Sequence, residues 1–241
     1  MDPIEPLIRK LERRDGLSGE ERDVLVSLVE RETFYQPGEV IVREGVVQRV
    51  SQLLISGVAA RSKQMADGGR QITELHIDGD FVDLHSFLLK KLEHDVVAMS
   101  PIRMAIVPHE RLKTVTEQQP HLTRMLWLST LIDSAIHREW IVSAGRRSAL
   151  QQIACLFCEM LLRYEVVGLA EDGRCPMALT QNELADACGL TAVHVNRVLQ
   201  ELRSEALIHW RRGELVVLDF ERLASLGGFD PRYLGIEREP R

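Results

Sequence analysis

The chain has 241 residues, 45% of them hydrophobic and 27% charged, and carries a formal net charge of −6. That length holds one large domain or two modest ones, and the composition is that of an ordinary globular protein. An acidic chain does not bind nucleic acid over its whole surface, so any such contact must be local.

The N-terminal stretch MDPIEPLIRKLERRDG mixes charges and prolines without an apolar core. This argues against a secretory signal and for a cytoplasmic protein. The longest apolar runs, Leu126–Ile132 and Leu215–Leu218, are far short of a bilayer span, so no membrane partner is expected. Residues Ile4–Arg14 and Ser18–Arg31 read as amphipathic helices, the second opened by a capping box of Ser18 and Glu21. From Glu32 the texture changes to short β-branched runs, TFYQPGEVIVREG, SQLLISGVAARSKQ and RQITELHIDGDFVDL, punctuated by Gly45, Gly57, Gly68-Gly69 and Gly79-Asp80. Regular short strands with glycine turns predict a small antiparallel barrel or sandwich, which VVAMSPIRMAIVP completes near Pro108.

Beyond Pro108 the pattern turns helical. His109–Glu117 is a short helix, and Pro120 opens a long one, since proline fits a helix's first turn. Met125, Leu128, Ile132, Ala135, Glu139 and Val142 follow alternating spacings of three and four and are expected to form a dimerisation seam. Packing of the same helix on its own barrel is the other use of this surface, and Trp127, Leu131 and Ile136 give it apolar area for both. Gly145 is the expected hinge before a further helix, Ser148–Tyr164.

Thr180-Gln181-Asn182-Glu183 is a second capping box, and Gly189 can adopt the positive φ of a sharp corner before a helix capped by Thr191. Two helices joined by such a corner make a helix-turn-helix, whose second helix can enter the DNA major groove. The strand–turn–strand pattern LIHWRRGELVVLD adds a β-wing with Arg211 and Arg212, placed either to meet phosphates or to solubilise a hairpin. Between Leu179 and Gly213 four arginines match four acids, so this segment is neutral inside an acidic chain. The tail from Ser225 to Arg241 is rich in glycine, proline and charge and is expected to be loosely ordered.

Taken in order, PGEVIVREG, LLISGVA, IDGDFVDL and above all LTQNELADACGLTAVHVNRVLQELRSEALI resemble the Crp/Fnr bacterial transcription regulators from about Leu17 to Leu223. The resemblance implies an α+β chain: an N-terminal antiparallel, jelly-roll-like β-roll sensor over residues 1–108, a connecting helix and long dimerisation helix over 109–145, and a C-terminal winged helix-turn-helix over 146–241. It implies a homodimer on a near-palindromic site of double-stranded DNA, with RNA polymerase as a further partner and an unidentified small-molecule effector. The arginine that contacts guanine in the family falls on Arg197, the family's threonine or serine cap falls on Thr191, and His194 falls at another backbone-contacting position, together placed to hold a phosphate. The candidate interface is therefore Thr180, Gln181, Thr191, Ala192, Val193, His194, Asn196 and Arg197, with Arg211 and Arg212 on the wing.

The departures from the family pattern matter as much. Ala192 and Val193 stand where the family often has arginine and glutamate; Val193 cannot accept from cytosine but can touch a thymine methyl. Of the Fnr branch's reading residues Arg197 alone is present, so a different target is expected, and Asn196 is either an adenine reader or a solvated side chain. Leu84 replaces the glutamate that contacts ribose in the cyclic-nucleotide binders, and His94-Asp95 replaces their Arg-Ser pair, which argues against cyclic AMP. No cysteine precedes Cys155, which argues against an Fnr-type iron–sulfur cluster. Cys155 and Cys158 could share a helix face as metal ligands or a redox pair, but buried structural thiols are the preferred reading, as for Cys188 at the corner. His85 and His94 could hold haem or a metal or respond to pH, or be ordinary surface or core histidines. No phosphate-cradling glycine loop, nucleophile elbow or HExxH pattern suggests an enzyme. The alternative function is a ligand-responsive signalling module whose winged helix mediates protein contacts.

Overall fold

A computed structural model describes residues 3–239. It opens with α1 (Glu5–Glu12) and α2 (Gly19–Ser27). The Ser18 hydroxyl accepts from the Glu21 amide while the Glu21 carboxylate accepts from the Ser18 amide, so the predicted capping box forms. The strands β1 (Arg31–Tyr35), β2 (Val40–Val42), β3 (Val50–Ser56), β4 (Ala59–Gln64) and β5 (Arg70–His76) follow, then a short α3 (Ser86–Leu89), β6 (Asp95–Ala98) and β7 (Ile102–Pro108). The second helix stops at Ser27 rather than reaching Arg31. The reason is that Thr33, Phe34 and Tyr35 favour extended backbone, and β7 offers a full ladder, with Arg31 opposite Ile106 and Tyr35 opposite Ile102.

The strands form two antiparallel sheets, ordered β1-β7-β3 and β2-β6-β4-β5. Leu54, Val82, Val96 and Met104 belong to the apolar layer between them. A second apolar layer joins Leu7, Leu11 and Leu25 of the N-terminal helices to Leu53, Ala105 and Val107. Its other members come from α4 (His109–Gln118) and α5 (Pro120–Arg146), including Leu112, Leu122 and Met125.

Pro120 occupies the first turn of α5, as expected. Gly145 does not act as the hinge, because α5 continues through Arg146 and the chain turns at Arg147, where ψ is 145°. The break is set by the next helix: Ser148 and Gln151 form a reciprocal capping box that starts α6 (Ala149–Val166). Then come β8 (Arg174–Pro176), α7 (Gln181–Cys188), α8 (Ala192–Ser204), β9 (Ile208–Arg211), β10 (Glu214–Val217) and α9 (Phe220–Gly227). The wing is a three-stranded sheet, β8-β10-β9, one strand more than the sequence suggested. One continuous core runs from Ile72 and Leu75 of β5 through Phe157 and Leu161 of α6 to Leu199 and Leu215, so the two halves of the chain share packing.

The tail corrects another expectation. A 3₁₀ turn at Pro231–Leu234 buries Leu234 with Ile132 and Ile136 of α5, and Phe229 meets Tyr233 edge-on at 6.0 Å. Arg14 donates to the carbonyls of Gly235 and Leu234 at 3.1 and 3.4 Å. Four spaced apolar anchors in a short polar stretch give no helical period, yet they are enough to dock it. Pro240 and Arg241, included in that expectation, lie outside the described residues.

Asp80, in the turn after β5, joins three distant parts of the chain. Its buried carboxylate accepts from the Lys10 ammonium of α1, from Arg163 of α6 at 2.8 Å and from the Ile77 amide at 2.9 Å. Burial alone would raise its pKa, but Lys10 and Arg163 outweigh burial and hold it well below the usual carboxylate range. Gly79 lets α1 come this close: its φ is +85°, and a Cβ there would lie 2.7 Å from the Pro6 carbonyl carbon. Asp80→Asn leaves two buried cations without their common counter-charge. The expected loss is about 3–5 kcal/mol of unfolding free energy in a urea titration.

Candidate nucleic-acid interface and sensor cavity

The helix-turn-helix forms as its local chemistry dictates. The Thr180 hydroxyl accepts from the Glu183 amide, and the Glu183 carboxylate accepts from the Thr180 amide at 2.6 Å. Gly189 ends α7 in the left-handed region at φ 64°, and the Thr191 hydroxyl caps α8 by accepting from the His194 amide at 3.2 Å. Val195, Val198, Leu199 and Leu202 bury one face of α8. The other face leaves Val193 83% exposed and Arg197 exposed.

The sequence-predicted residues of this face do not all present free groups. Arg197 Nη2 lies 2.9 Å from His194 Nε2, which accepts when its proton sits on Nδ1. Asn196 donates to Gln181 Oε1 at 3.2 Å and accepts from Gln200 at 3.1 Å, so its amide is held in a chain of three side chains. That arrangement leaves Asn196 less available as an adenine reader, and Gln200, one turn on, is a polar neighbour that the sequence reading passed over. Thr191 is exposed, while Ala192 is half-buried at the helix start.

Arg211 and Arg212 are exposed at the tip of the wing. Arg212 and Gly213 both have positive φ, 54° and 80°, the backbone of a two-residue type I′ hairpin. Trp210 fixes the wing to the core, donating to the Met177 carbonyl at 3.1 Å and meeting Phe157 edge-on at 5.8 Å. A contact 115 residues apart in the chain docks α7 on the β-roll. Gln71 of β5 donates to the Asp186 carbonyl at 2.8 Å, and Arg70 pairs with the Asp186 carboxylate at 2.8 Å. No local pattern announces such a contact.

The six residues expected to form a dimer seam mostly face their own chain. Met125 and Ile132 are buried within their own chain, Leu128 and Ala135 are half-buried, and Glu139 is paired with Arg147 at 2.6 Å. Val142 alone of the six is exposed. The exposed face of α5 instead carries Trp127, Leu131, Ser134, Arg138 and Ile141, with Trp127 64% and Ile141 71% exposed. These positions repeat at spacings of four and three, the period of a helix pair. The error arose because α5 is apolar on two faces and spacing cannot say which one meets its own barrel.

Between the β-roll and α5 lies a cavity of about 1020 Å³. Leu84 and His94, departures from the cyclic-nucleotide pattern, line it, as does His85. The rings of His85 and His94 are 5.7 Å apart, and burial, with Arg61 and His94 adding to it, pushes His85 down to about 3. Arg61, a further lining residue, donates to the Val82 carbonyl at 3.2 and 3.0 Å, pairs with Glu74 and lies 3.6 Å from Asp133. The four cysteines are buried, and burial raises Cys155, Cys175 and Cys188 to about 12, so as ligands or redox centres they would start from the inert thiol. Among the described residues no group of three or more His, Cys, Asp or Glu side chains could hold a metal ion, and no helix is long and apolar enough to cross a membrane.

Gly189→Ala tests the corner. The nearest atom to an added Cβ is Gln71 Oε1 at 3.7 Å, so the cost is conformational rather than steric. The expected destabilisation is about 1 kcal/mol, smaller for Gly189→Asn, read as thermal or urea midpoints.

Comparison with known proteins agrees with this architecture. Residues 151–226 match a Crp-like helix-turn-helix domain, and residues 32–119 match a cyclic nucleotide-binding domain. The transcriptional activator protein FnrL of Cereibacter sphaeroides is 28% identical over 201 residues, covering 81% of this chain and 80% of that protein. The nitrogen fixation regulation protein FixK of Bradyrhizobium diazoefficiens is 25% identical over 197 residues, covering 81% of each. The fold is shared with the structure of FixK2 from Bradyrhizobium japonicum, at a TM-score of 0.70 and 21% identity over 81% of this chain and 96% of that one. With both domains matched in the same order, a shared fold and relatives that are transcriptional activators, the chain belongs to the Crp/Fnr family of DNA-binding transcription regulators.

Proposed function

We propose that the chain acts as a homodimer that reads a near-palindromic DNA site, with RNA polymerase as a further partner and the β-roll as a sensor for a ligand other than cyclic AMP. In this reading residues 1–108 are the sensor, 109–145 the connecting and dimerisation helices and 146–241 the DNA-binding domain. The observation that carries it is Arg197: exposed on α8 while the opposite face of that helix is buried in its own core. A guanidinium so placed can meet the O6 and N7 acceptors of guanine, with the Thr191 cap, Thr180 and the helix start close by for phosphate. Arg211 and Arg212 serve as phosphate contacts on the wing, positioning the protein without reading sequence.

The apolar face of α5 supports pairing with a second copy, because Trp127, Leu131 and Ile141 lie on it at coiled-coil spacing. Two-fold pairing along α5 would present two copies of α8 to grooves about one helical turn apart, near 34 Å. The rejection of cyclic AMP is supported by the cavity. Arg61 already pairs with Glu74 and donates to Val82, and Leu84 puts an apolar group on the wall, so a cyclic phosphate would find no free guanidinium there.

Selection of bound fragments from random duplex, followed by anisotropy titrations, tests the DNA reading. Arg197→Ala is expected to lose roughly 1–3 kcal/mol of discrimination at one base pair of each half-site. Replacing Arg211 and Arg212 by Ala should weaken all sequences alike and reduce the salt slope by roughly 1 for each phosphate no longer neutralised. Unchanged sequence preference in the Arg197 variant refutes the assignment. Ile141→Glu places a charge in the proposed seam and is expected to convert the dimer to monomer in light scattering, without a fall in the unfolding midpoint.

A further inference from the structure

Resting on the reading of the β-roll as a sensor, we infer that its cavity takes an uncharged, largely apolar small molecule bearing one hydrogen-bonding head, such as a hydroxyl, carbonyl or arylamine. A volume of about 1020 Å³ holds a molecule of drug size. Much of the wall is hydrocarbon or aromatic, supplied by Leu84, Phe87, Leu112, Leu126 and Trp127.

The polar residues of the wall decide the ligand's charge. Arg61 pairs with Glu74, approaches Asp133 at 3.6 Å and directs its remaining donors to the Val82 carbonyl. Lys63 pairs with Glu44 and donates to the Glu93 carbonyl at 2.6 Å, while the Glu93 carboxylate lies 3.2 Å from His94 Nδ1. Both cations of the wall are answered within the chain, Asp133 already faces Arg61, and the Glu93 carboxylate is 76% exposed, so an anionic ligand would enter without a counter-charge and a cationic one would find no free buried carboxylate, a large penalty in an apolar surround. His85 differs. Its side chain lines the cavity, lies 5.7 Å from the His94 ring and has no hydrogen bond or ion pair to another side chain or the backbone among the described residues. A neutral imidazole offers one N–H donor and one acceptor, which a hydroxyl, carbonyl or arylamine can use.

Two matched fluorescent probes separate charge from shape: N-phenyl-1-naphthylamine, which is neutral, and 8-anilino-1-naphthalenesulfonate, the same skeleton with a sulfonate. Both are titrated into the full chain. The neutral probe is expected to saturate at one site per chain and to bind roughly tenfold or more tighter than the sulfonate, since the anion would be buried unpaired. Its emission should be sensitised by tryptophan, with Trp127→Phe reducing that transfer while binding persists. Leu112→Trp, which fills the cavity, should abolish saturable binding. Should that variant fold poorly, His85→Ala, which only shortens a wall residue, should weaken the neutral probe roughly three- to tenfold, about the worth of one hydrogen bond.

Equal or tighter binding of the sulfonate, or displacement of the neutral probe by cyclic AMP, overturns the inference. Stoichiometric haemin binding with a Soret band lost in His85→Ala overturns it too, in favour of a metal ligand. Non-saturating uptake that Ile141→Glu abolishes places the probe on the α5 face instead and also refutes it. If the neutral probe binds as expected but DNA affinity is unmoved by it, the sensor reading fails while the ligand class stands.

Discussion

The architecture depends on a single buried carboxylate. Asp80 stands between Lys10 of α1 and Arg163 of α6, and those three residues bring the N-terminus, a β-roll turn and the DNA-binding half to one point. Arg163 then reaches the Leu75 carbonyl at 2.7 Å and Glu159 at 3.1 Å, and Glu159 accepts from Trp140 of α5 and from Tyr233 of the tail. Cations and anions alternate in this cluster, so no member is left with an uncompensated charge. Buried pairs of this kind add little net stability over a well-packed apolar alternative, but removing one partner is costly. Their effect is therefore on geometry: they fix how α6, and with it the helix-turn-helix, sits on the β-roll.

The same polar seam extends to the sensor cavity. Glu74, fully buried, pairs with Arg61 and lies 3.4 Å from His137 Nε2 and 3.6 Å from His76 Nε2, and His76 Nδ1 lies 4.0 Å from Asp80. Burial raises the Glu74 pKa against the pull of Arg61, and burial together with Arg61 lowers that of His76, so the imidazole is held toward its neutral form beside the Arg61–Glu74 pair. Arg61 and His137 line the cavity, while Asp80 holds α6. Contiguity of this kind is geometry rather than proof of coupling, which requires an element with two arrangements that both sites bias. A ligand that shifted Arg61 or His137 would act on Glu74, which lies 3.6 Å from His76, itself 4.0 Å from Asp80.

What was legible in the sequence was local. The capping boxes at Ser18 and Thr180, the corner at Gly189 and the proline at the start of α5 depend on residues close in the chain, and each forms. The exposure of Thr191, Val193 and Arg197 was legible for the same reason: one face of α8 is apolar at helical spacing and the other is not. Apart from the hinge expected at Gly145, which the local Ser148–Gln151 capping box moved to Arg147, the failures were non-local. Choosing the outer face of α5 required knowing that Met125 and Ile132 meet the N-terminal helices and the tail. The tail's order came from Leu234 reaching α5 and Arg14 reaching back from α1. The engagement of Asn196 by Gln181 crosses the helix-turn-helix corner, where period counting on one helix is blind. The charge cluster joins residues 70 or more positions apart, and a sequence shows charges without their partners.

Under the proposed function, Trp127 and Leu131 would tie the sensor to the assembly. Both line the cavity, and both lie on the exposed face of α5 available to a second copy. An aromatic ring cannot turn toward one surface without withdrawing area from the other, so cavity occupancy and α5 pairing compete for, or share, the same side chains. Further along α5, Glu139 holds Arg147 at the junction with α6, and Arg147 also donates to the Gly228 carbonyl at 3.1 Å. The helix whose face would set the dimer thus ends in the turn that aims α6. A rigid helix converts a small tilt at Trp127 into a displacement at Arg147, about 30 Å away at 1.5 Å per residue. In the proposed dimer, effector size, helix pairing and the separation of the two reading helices would in this way be constrained by one 27-residue element.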